Sequence, residues 1–327
     1  MDGDRGNDNL IDVFVKAVTN EALGINSWEF RPVDGGELPP FTVGSHIDLR
    51  LSDRLVRSYS LCNSQDDRHR YVVAISKDPL SRGGSKFVHE NLKPGDRIKI
   101  SPPLNNFALV EDAEHTVFFA GGIGITPIWS MIQRLESLGR PWEIHYSTRR
   151  REACAFKEQL DALEKRKPGR VHFNFDQEPG GKISNLKALI SETPTDAHLY
   201  CCGPTVMLKS FEDAARDVGR PPANVHLEYF TSKEEAAVSG GFTVVLQQSK
   251  KSFVIPPGKT ILDTLLDNNM DVTFSCMQGA CRSCETTVLE GVPDHRDAVL
   301  SDAERESNKT MMICCSGSKT ATLVLDL

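Results

Sequence analysis

The sequence predicts a multi-domain chain of three parts in fixed order: an antiparallel β-barrel, an α/β domain with a parallel sheet, and a small β-grasp domain around a metal cluster. Three observations predict it. Residues 1–110 carry short β-rich runs punctuated by proline and glycine turns, the mark of an antiparallel barrel. From residue 111 to 230 strands and helices alternate, which builds a parallel sheet covered by helices. Near the C-terminus, four cysteines lie at a spacing that suits metal ligation rather than disulfide pairing.

The barrel part has candidate strands at residues 11–18, 45–51, 71–76 and 97–101. Pro39 with Pro40, the run from Lys93 to Asp96, and Pro102 with Pro103 supply turns between them. In the second part, residues 116–120 read as a buried strand followed by a glycine turn. A helix then opens with Thr126 as N-cap and Pro127 at the first helical position. Strands follow at 142–147, 171–175, 197–202 and 225–229, with helices near 155–165 and 185–190 and from Pro204 to about Val218. Residues 231–241 are small, polar and acidic and read as a linker. In the last part, 242–327, a hairpin at 242–246 and 252–255, a helix at 260–268 and a closing strand at 322–327 frame the cysteines.

Cys276, Cys281 and Cys284 are spaced C-x4-C-x2-C, and Cys314 follows some thirty residues on. This is the ligand spacing of a plant-type 2Fe–2S cluster. Gly279, Ala280 and Ser283 keep the loop slim, so that peptide N–H groups can face the sulfurs. A zinc site needs a second ligand pair, and Cys314 and Cys315 are adjacent. A disulfide framework is disfavoured by nine cysteines, an odd count, and by the absence of an apolar leader. The fourth ligand is Cys314 or Cys315; the apolar run 311–313, entering as a buried strand, favours Cys314.

Composition limits the partners. Hydrophobic residues make up 39% and charged residues 25%, ordinary for a globular chain. No apolar run reaches membrane-spanning length, and a net charge of −7 gives no reason to expect nucleic acid or anionic lipid as partner. Free cysteines and an iron–sulfur site imply a reducing cytoplasmic location.

Two glycine turns lie where a parallel sheet binds ligands, at the carboxyl ends of strands. One contains Gly121, Gly122 and Gly124, with Pro127 where a Rossmann fingerprint would require glycine. The other is Cys201, Cys202, Gly203 and Pro204. The bland reading of each is a tight turn, and of Cys202 a small buried hydrophobe. In the barrel, Arg57, Ser58, Tyr59 and Ser60 offer an aromatic wall, hydroxyls and a cation, as a flavin requires. Arg82, Gly83, Gly84 and Ser85 offer backbone N–H groups, a hydroxyl and a guanidinium for a phosphate. Either tetrapeptide alone is also a common surface turn.

Together the motifs RSYSL, RGGS, AGGIGITP, CCGP and the cysteine set resemble the phthalate dioxygenase reductase family, with its vanillate demethylase and carnitine monooxygenase reductases. The resemblance spans nearly the whole chain: flavin barrel, nicotinamide domain, C-terminal ferredoxin. It implies that Arg57, Ser58, Tyr59 and Ser60 hold FMN, that Ala74 and Ser76 line its ring, and that Gly83, Gly84 and Ser85 cradle its phosphate. Gly122, Gly124 and Thr126 would form the nicotinamide-side turn, with Cys202, Gly203 and Pro204 bordering the nicotinamide. Asp176 and Gln177 match positions near the dinucleotide, and Phe230 packs near the flavin. Cys202, Thr126 and Ser60 are the catalytic candidates, and no general base is expected. The implied function is the reductase of a Rieske-type oxygenase, moving electrons from NADH through FMN and the cluster to the oxygenase. Rival readings are a reductase feeding a cytochrome P450 or a diiron hydroxylase, and a non-catalytic metal-binding sensor.

The chain departs from the family pattern at Arg282, where many relatives have glycine. The cluster Thr148, Arg149, Arg150 and Arg151 could clamp a 2′-phosphate and favour NADPH, whereas the resemblance favours NADH. His295, between Asp294 and Arg296, reads as a polar turn or a partner contact rather than a catalytic group.

Overall fold

The structure is a computed structural model that describes residues 10–52, 55–79, 83–232 and 235–327. It forms two compact units, one built from Leu10–Leu55 and Tyr59–Glu228, the other from Tyr229–Leu327 with Val56–Ser58.

Seven short strands come first: β1 (Ile11–Ala22), β2 (Ile25–Pro32), β3 (Ser45–Ser52), β4 (Leu55–Ser60), β5 (Tyr71–Ser76), β6 (Arg97–Ile100) and β7 (Leu104–Asn105). Helix α1 (Gly84–Asn91) lies between β5 and β6. The strand order is β4-β3-β6-β1-β2-β5, with β7 on β3. Just beyond β4, Leu61 bridges antiparallel to Val73 of β5, and the Cys62 amide donates to the Val72 carbonyl at 2.9 Å. These bonds join the two ends of the sheet, and the barrel follows. Alternation places Val13, Val15, Phe30, Ile47, Leu49 and Val73 inside, every one almost fully buried. The sequence signalled the start of α1 only as a phosphate turn; Arg82 of that turn lies outside the described residues.

Five parallel strands follow: β8 (Thr116–Gly121), β9 (Trp142–Thr148), β10 (Val171–Phe175), β11 (His198–Cys202) and β12 (Val225–Glu228). Between them run α2 (Ile125–Leu138), α3 (Lys157–Arg166), α4 (Leu186–Glu192) and α5 (Thr205–Asp217). The order β10-β9-β8-β11-β12 reverses direction between β8 and β11. That is the topological switch point, where a crevice opens beyond the strand ends.

One difference from the sequence expectation concerns α2. Its N-cap is Gly124, not Thr126, because a 3-10 turn over Gly122–Gly124 runs straight into the helix. Thr126 therefore sits inside the first turn, and its hydroxyl donates to the Ile123 carbonyl at 3.0 Å.

Barrel and parallel sheet share a core. Ala22, Ile25, Val43, Cys62, Ala74 and Phe107 join one cluster with Phe118, Ile128, Met131 and Tyr200. Phe107 meets Tyr200 edge-on at 5.5 Å, and the Val110 amide donates to the Tyr200 hydroxyl at 2.9 Å.

The other unit holds β13 (Thr243–Leu246), β14 (Lys251–Val254), α6 (Ile261–Asp267), β15 (Glu285–Glu290), β16 (Pro293–Asp294), α7 (Asp302–Ser307), β17 (Thr310–Met312), β18 (Gly317–Ser318) and β19 (Thr322–Leu325). Its main sheet runs β14-β13-β19-β15-β17. Ile261, Leu262 and Leu265 of α6 pack with Val244, Leu246, Leu323 and Leu325, all fully buried. This is a β-grasp core. Thr260 and Asp263 form a capping box at α6, and Ser301 with Glu304 forms another at α7. Helix α7 went unforeseen although its S-x-x-E start was legible. Within residues 231–241, the Ala237 amide donates to the Cys315 carbonyl at 2.8 Å. The His295 side chain is 8% exposed, with Nδ1 3.8 Å from Asp297 Oδ1 and no hydrogen bond to either ring nitrogen among the described residues.

Trp28 is 1% exposed, and its indole N–H donates to the Leu92 carbonyl at 3.1 Å. Trp28→Ala leaves a large cavity and an unpaired carbonyl, so a loss of about 3–5 kcal/mol is expected, read by denaturant unfolding.

Candidate functional site

The cysteine loop takes shape from its backbone. Met277, Gly279 and Arg282 all have positive φ, at 54°, 64° and 63°. These left-handed residues curl the loop inward, so that amides face sulfurs. Gln278 N–H donates to Cys276 Sγ at 3.3 Å, and Ala280 N–H donates to the same sulfur at 3.4 Å. Cys276 N–H donates to Cys281 Sγ at 3.4 Å. Gly279 N–H donates to Cys314 Sγ at 3.2 Å. A β-carbon on Gly279 would come within 2.5 Å of Cys315 Sγ and 3.0 Å of Asp297 Cα. Glycine is therefore required there on two grounds.

Four sulfurs converge. Cys314 Sγ interacts with both Cys276 and Cys284, and Cys276 with Cys281. All four residues are at least nine-tenths buried. The neighbouring Cys315 sulfur also interacts with Cys314, and it faces the Met312 carbonyl and the Ser316 hydroxyl, each at 3.9 Å. Buried sulfurs fed by peptide N–H groups fit a 2Fe–2S cluster, whose thiolate charge such donors stabilise.

Arg282 occupies a left-handed position, φ 63°, a conformation that glycine adopts at no steric cost. Its guanidinium donates to the Val299 carbonyl at 2.7 Å and to Glu304 at 3.1 and 3.0 Å. The hydrogen bond from Arg282 holds the Glu304 carboxyl down at about 2. The arginine thus ties the cysteine loop to α7.

The nicotinamide-side turns meet at the switch point. A β-carbon on Gly124 would lie 2.2 Å from the Cys202 carbonyl oxygen. One on Gly203 would lie 3.0 Å from Gly121 Cα. The two turns thus pack backbone against backbone, bringing Gly122, Gly124, Cys202, Gly203 and Pro204 together. The Tyr146 hydroxyl holds the first turn by donating to the Gly122 carbonyl at 3.0 Å. Thr126 is buried, with its hydroxyl turned back into the helix start. At the end of β10, the Asp176 amide donates to Thr148 O and the Gln177 amide to Arg149 O. Asp176 Oδ1 is buried without a partner among the described residues. An orphaned acceptor at this edge fits a ribose hydroxyl.

On the barrel, the Leu61–Val73 bridge brings Tyr59 and Ser60 of β4 alongside Ala74 and Ser76 of β5. Ser60 and Ala74 are buried, and Tyr59 and Ser76 half-buried. Arg57 and Ser58 are half-buried on β4, where the Arg57 guanidinium donates to the Val56 carbonyl at 2.7 Å. Phe230 is exposed just beyond β12. Gly83, with φ 96°, precedes α1, whose first turn has no acidic residue and no side-chain cap among the described residues. The Ser85 hydroxyl accepts from the Asp78 amide at 3.3 Å. An uncapped glycine start fits the phosphate of FMN, because free N–H groups and the helix dipole both favour an anion.

One residue escaped the sequence reading. Glu228 ends β12 directly opposite Cys202, and the Cys202 thiol points at Glu228 Oε2 across 3.8 Å. Desolvation pushes the Glu228 carboxyl up to about 8 and the Cys202 thiol higher still. Burial thus favours the neutral form of both groups. The signal was a single acid closing an apolar strand, Val225 to Tyr229.

Comparison with known proteins agrees with this geometry. Residues 244–318 match the family described as a 2Fe-2S iron-sulfur cluster binding domain, and residues 118–213 the oxidoreductase NAD-binding domain. The chain is 50% identical to phenoxybenzoate dioxygenase subunit beta of Ectopseudomonas oleovorans, over 96% of each chain. It is 48% identical to tetrachlorobenzoquinone reductase of Sphingobium chlorophenolicum, over 97% of this chain and 98% of that one. Among solved structures, phthalate dioxygenase reductase superposes with a TM-score of 0.77 at 35% identity, covering 97% of this chain and 98% of the other. The last is described as a modular structure for electron transfer from pyridine nucleotides to a 2Fe–2S cluster. The chain belongs to the phthalate dioxygenase reductase family, with a nicotinamide site, FMN and a 2Fe–2S cluster as its redox groups. Among the described residues no helix is long and apolar enough to cross a membrane.

Two outcomes are expected. Cys314→Ala loses the cluster while Cys315→Ser keeps it, read by iron content and visible absorption. Glu228→Gln alters the pH dependence of stability. The native carboxyl titrates at about 8 against an ordinary 4.5. Stability from this site is thus full below 4.5 and declines as pH rises toward 8, because the unfolded carboxyl ionises first. Denaturant melts at several pH values are expected to show a smaller decline in the variant.

Proposed function

We propose that the chain is the reductase of a Rieske-type oxygenase system, passing electrons from NADH through FMN and the 2Fe–2S cluster to the oxygenase. The observation that carries this reading is the convergence of four buried sulfurs and their amide donors, in a chain that also folds paired glycine turns at a sheet switch point. The relative named as a dioxygenase subunit supports an oxygenase partner. Residues 1–110 form the flavin domain, 111–230 the nicotinamide domain, 231–241 the linker and 242–327 the ferredoxin domain in this assignment. Nine free cysteines support a cytoplasmic location.

When bound, FMN would supply hydride acceptance and one-electron release, and a 2Fe–2S cluster one-electron transfer. The residues supply position. Gly122, Gly124, Gly203 and Pro204 let the nicotinamide approach the sheet edge without a side chain in the way. Cys202 and Thr126 border it with neutral, buried groups, and Asp176 accepts from a ribose hydroxyl. Arg57, Ser58, Tyr59, Ser60, Ala74 and Ser76 hold the flavin, with Phe230 against it, and Gly83, Gly84 and Ser85 take its phosphate. Cys276, Cys281, Cys284 and Cys314 ligate the iron. A preference for NADH over NADPH is supported by Arg151, which lies 3.7 Å from Glu178 and 4.7 Å over the Phe175 ring, while Arg149 and Arg150 are exposed. Acidic Asp176 and Glu178 would also repel a 2′-phosphate.

Removing the Cys281 thiol (Cys281→Ala) tests the electron order. NADH oxidation with ferricyanide is expected to stay within about twofold of the parent. Cytochrome c reduction is expected to vanish. Equal loss of both activities would overturn the assignment. A second reading, direct reduction of a quinone, is favoured by the tetrachlorobenzoquinone reductase relative. Quinone turnover that persists in the Cys281 variant would favour it.

A further inference from the structure

A cluster on the parallel sheet plays no part in the redox site. Along β9 the two-residue period puts Glu143 and His145 on one face. Parallel pairing sets His172 of β10 beside His145. The result is a convergence of three donors. His145 Nε2 and His172 Nε2 each lie 3.0 Å from the same oxygen, Glu143 Oε1. One ligand atom from each of the three residues falls within 4.8 Å of the others.

The His145 ring is held in place on both sides. It stacks on Phe119 at 5.1 Å and on His172 at 4.8 Å, with interplanar angles of 20° and 17°; imidazole nitrogens bind in the ring plane, so a shared ion requires the His172 ring to rotate out of this stack. The His145 side chain is 15% exposed and the His172 side chain 46%, so one flank is fixed and the other open to entry. Hydrogen bonding from His145 holds the Glu143 carboxyl below the usual carboxylate range, so it is ionised at neutral pH.

We propose that Glu143, His145 and His172 bind a divalent first-row transition metal ion, zinc being the best match, that staples edge strand β10 to β9. Two imidazole nitrogens and one carboxylate oxygen form a known type of zinc ligand set, with water free to take the fourth position. Ligands about 2.0–2.2 Å from a tetrahedral ion stand roughly 3.3 Å apart; the two nitrogen-to-oxygen distances of 3.0 Å are close to this, and the three donors span no more than 4.8 Å. In a parallel sheet the edge strand has a ladder on one side only, so a cross-strand ion adds a tie that hydrogen bonding cannot.

The test uses the complete holoprotein, loaded with flavin and iron and washed free of loose metal. Zinc chloride is titrated in by calorimetry, zinc and iron are counted per chain, and the melting temperature is followed. The expected result is about one zinc per chain beyond the iron, with a melting temperature that rises with free zinc. His172→Ala and the near-isosteric Glu143→Gln are both expected to lose the bound zinc and the rise, while keeping the flavin spectrum that reports folding. Absence of zinc binding in the parent protein would overturn the proposal, leaving the cluster as two hydrogen bonds to Glu143. So would zinc binding unchanged in both variants, since the ion would then rest on other groups such as thiols.

Discussion

The close approach of backbone to backbone, possible only where no β-carbon intervenes, governs both redox regions. At the switch point, Gly124 lies so near the Cys202 carbonyl that a methyl group would sit 2.2 Å from its oxygen. In the cysteine loop, a methyl group on Gly279 would sit 2.5 Å from the Cys315 side-chain sulfur and 3.0 Å from the Asp297 backbone, at a φ of 64°. Neither contact gains much energy by itself. Each sets where amides and carbonyls point, and those dipoles are what an anionic cofactor or a thiolate cluster meets. Replacing either glycine would require the neighbouring strand or turn to move, because backbone cannot yield as the end of a flexible side chain can.

Electrostatics follows from burial in both places. The cysteine sulfurs are shut away from water, so their charge is met by peptide N–H groups rather than by solvent. At the strand ends Cys202 and Glu228 face each other, and burial favours the neutral form of both. The parallel sheet and the barrel meanwhile share one apolar core. That sharing holds the strand edge carrying Cys202 and Asp176 in the same packed body as the barrel strands carrying Tyr59, Ser60 and Ala74.

Much of this was legible in the chain. The C-x4-C-x2-C spacing, the alternation of strand and helix after residue 111, and the glycine turns are local features, and local features survive in a linear code. Cys314 and Cys315, as adjacent thiols, look alike in the chain; in the structure the Gly279 amide donates to the Cys314 sulfur. The start of α2 was misplaced because a 3-10 turn leading into a helix has no sequence mark separate from the helix itself. Helix α7 was overlooked because six residues are too few to show a period, although its capping pair was present.

What the sequence determined alone was the inventory of chemistry: thiols at ligand spacing, glycines after strands, a hydroxyl-rich tetrapeptide in the barrel. Tertiary structure decided which groups meet. Cys202 faces Glu228 only because β11 pairs with β12 in that register, and Glu143, His145 and His172 converge only because β9 pairs with β10 in theirs. Strand register is a long-range choice, made by the burial of whole faces rather than by any one residue, so contacts that depend on it cannot be read along the chain.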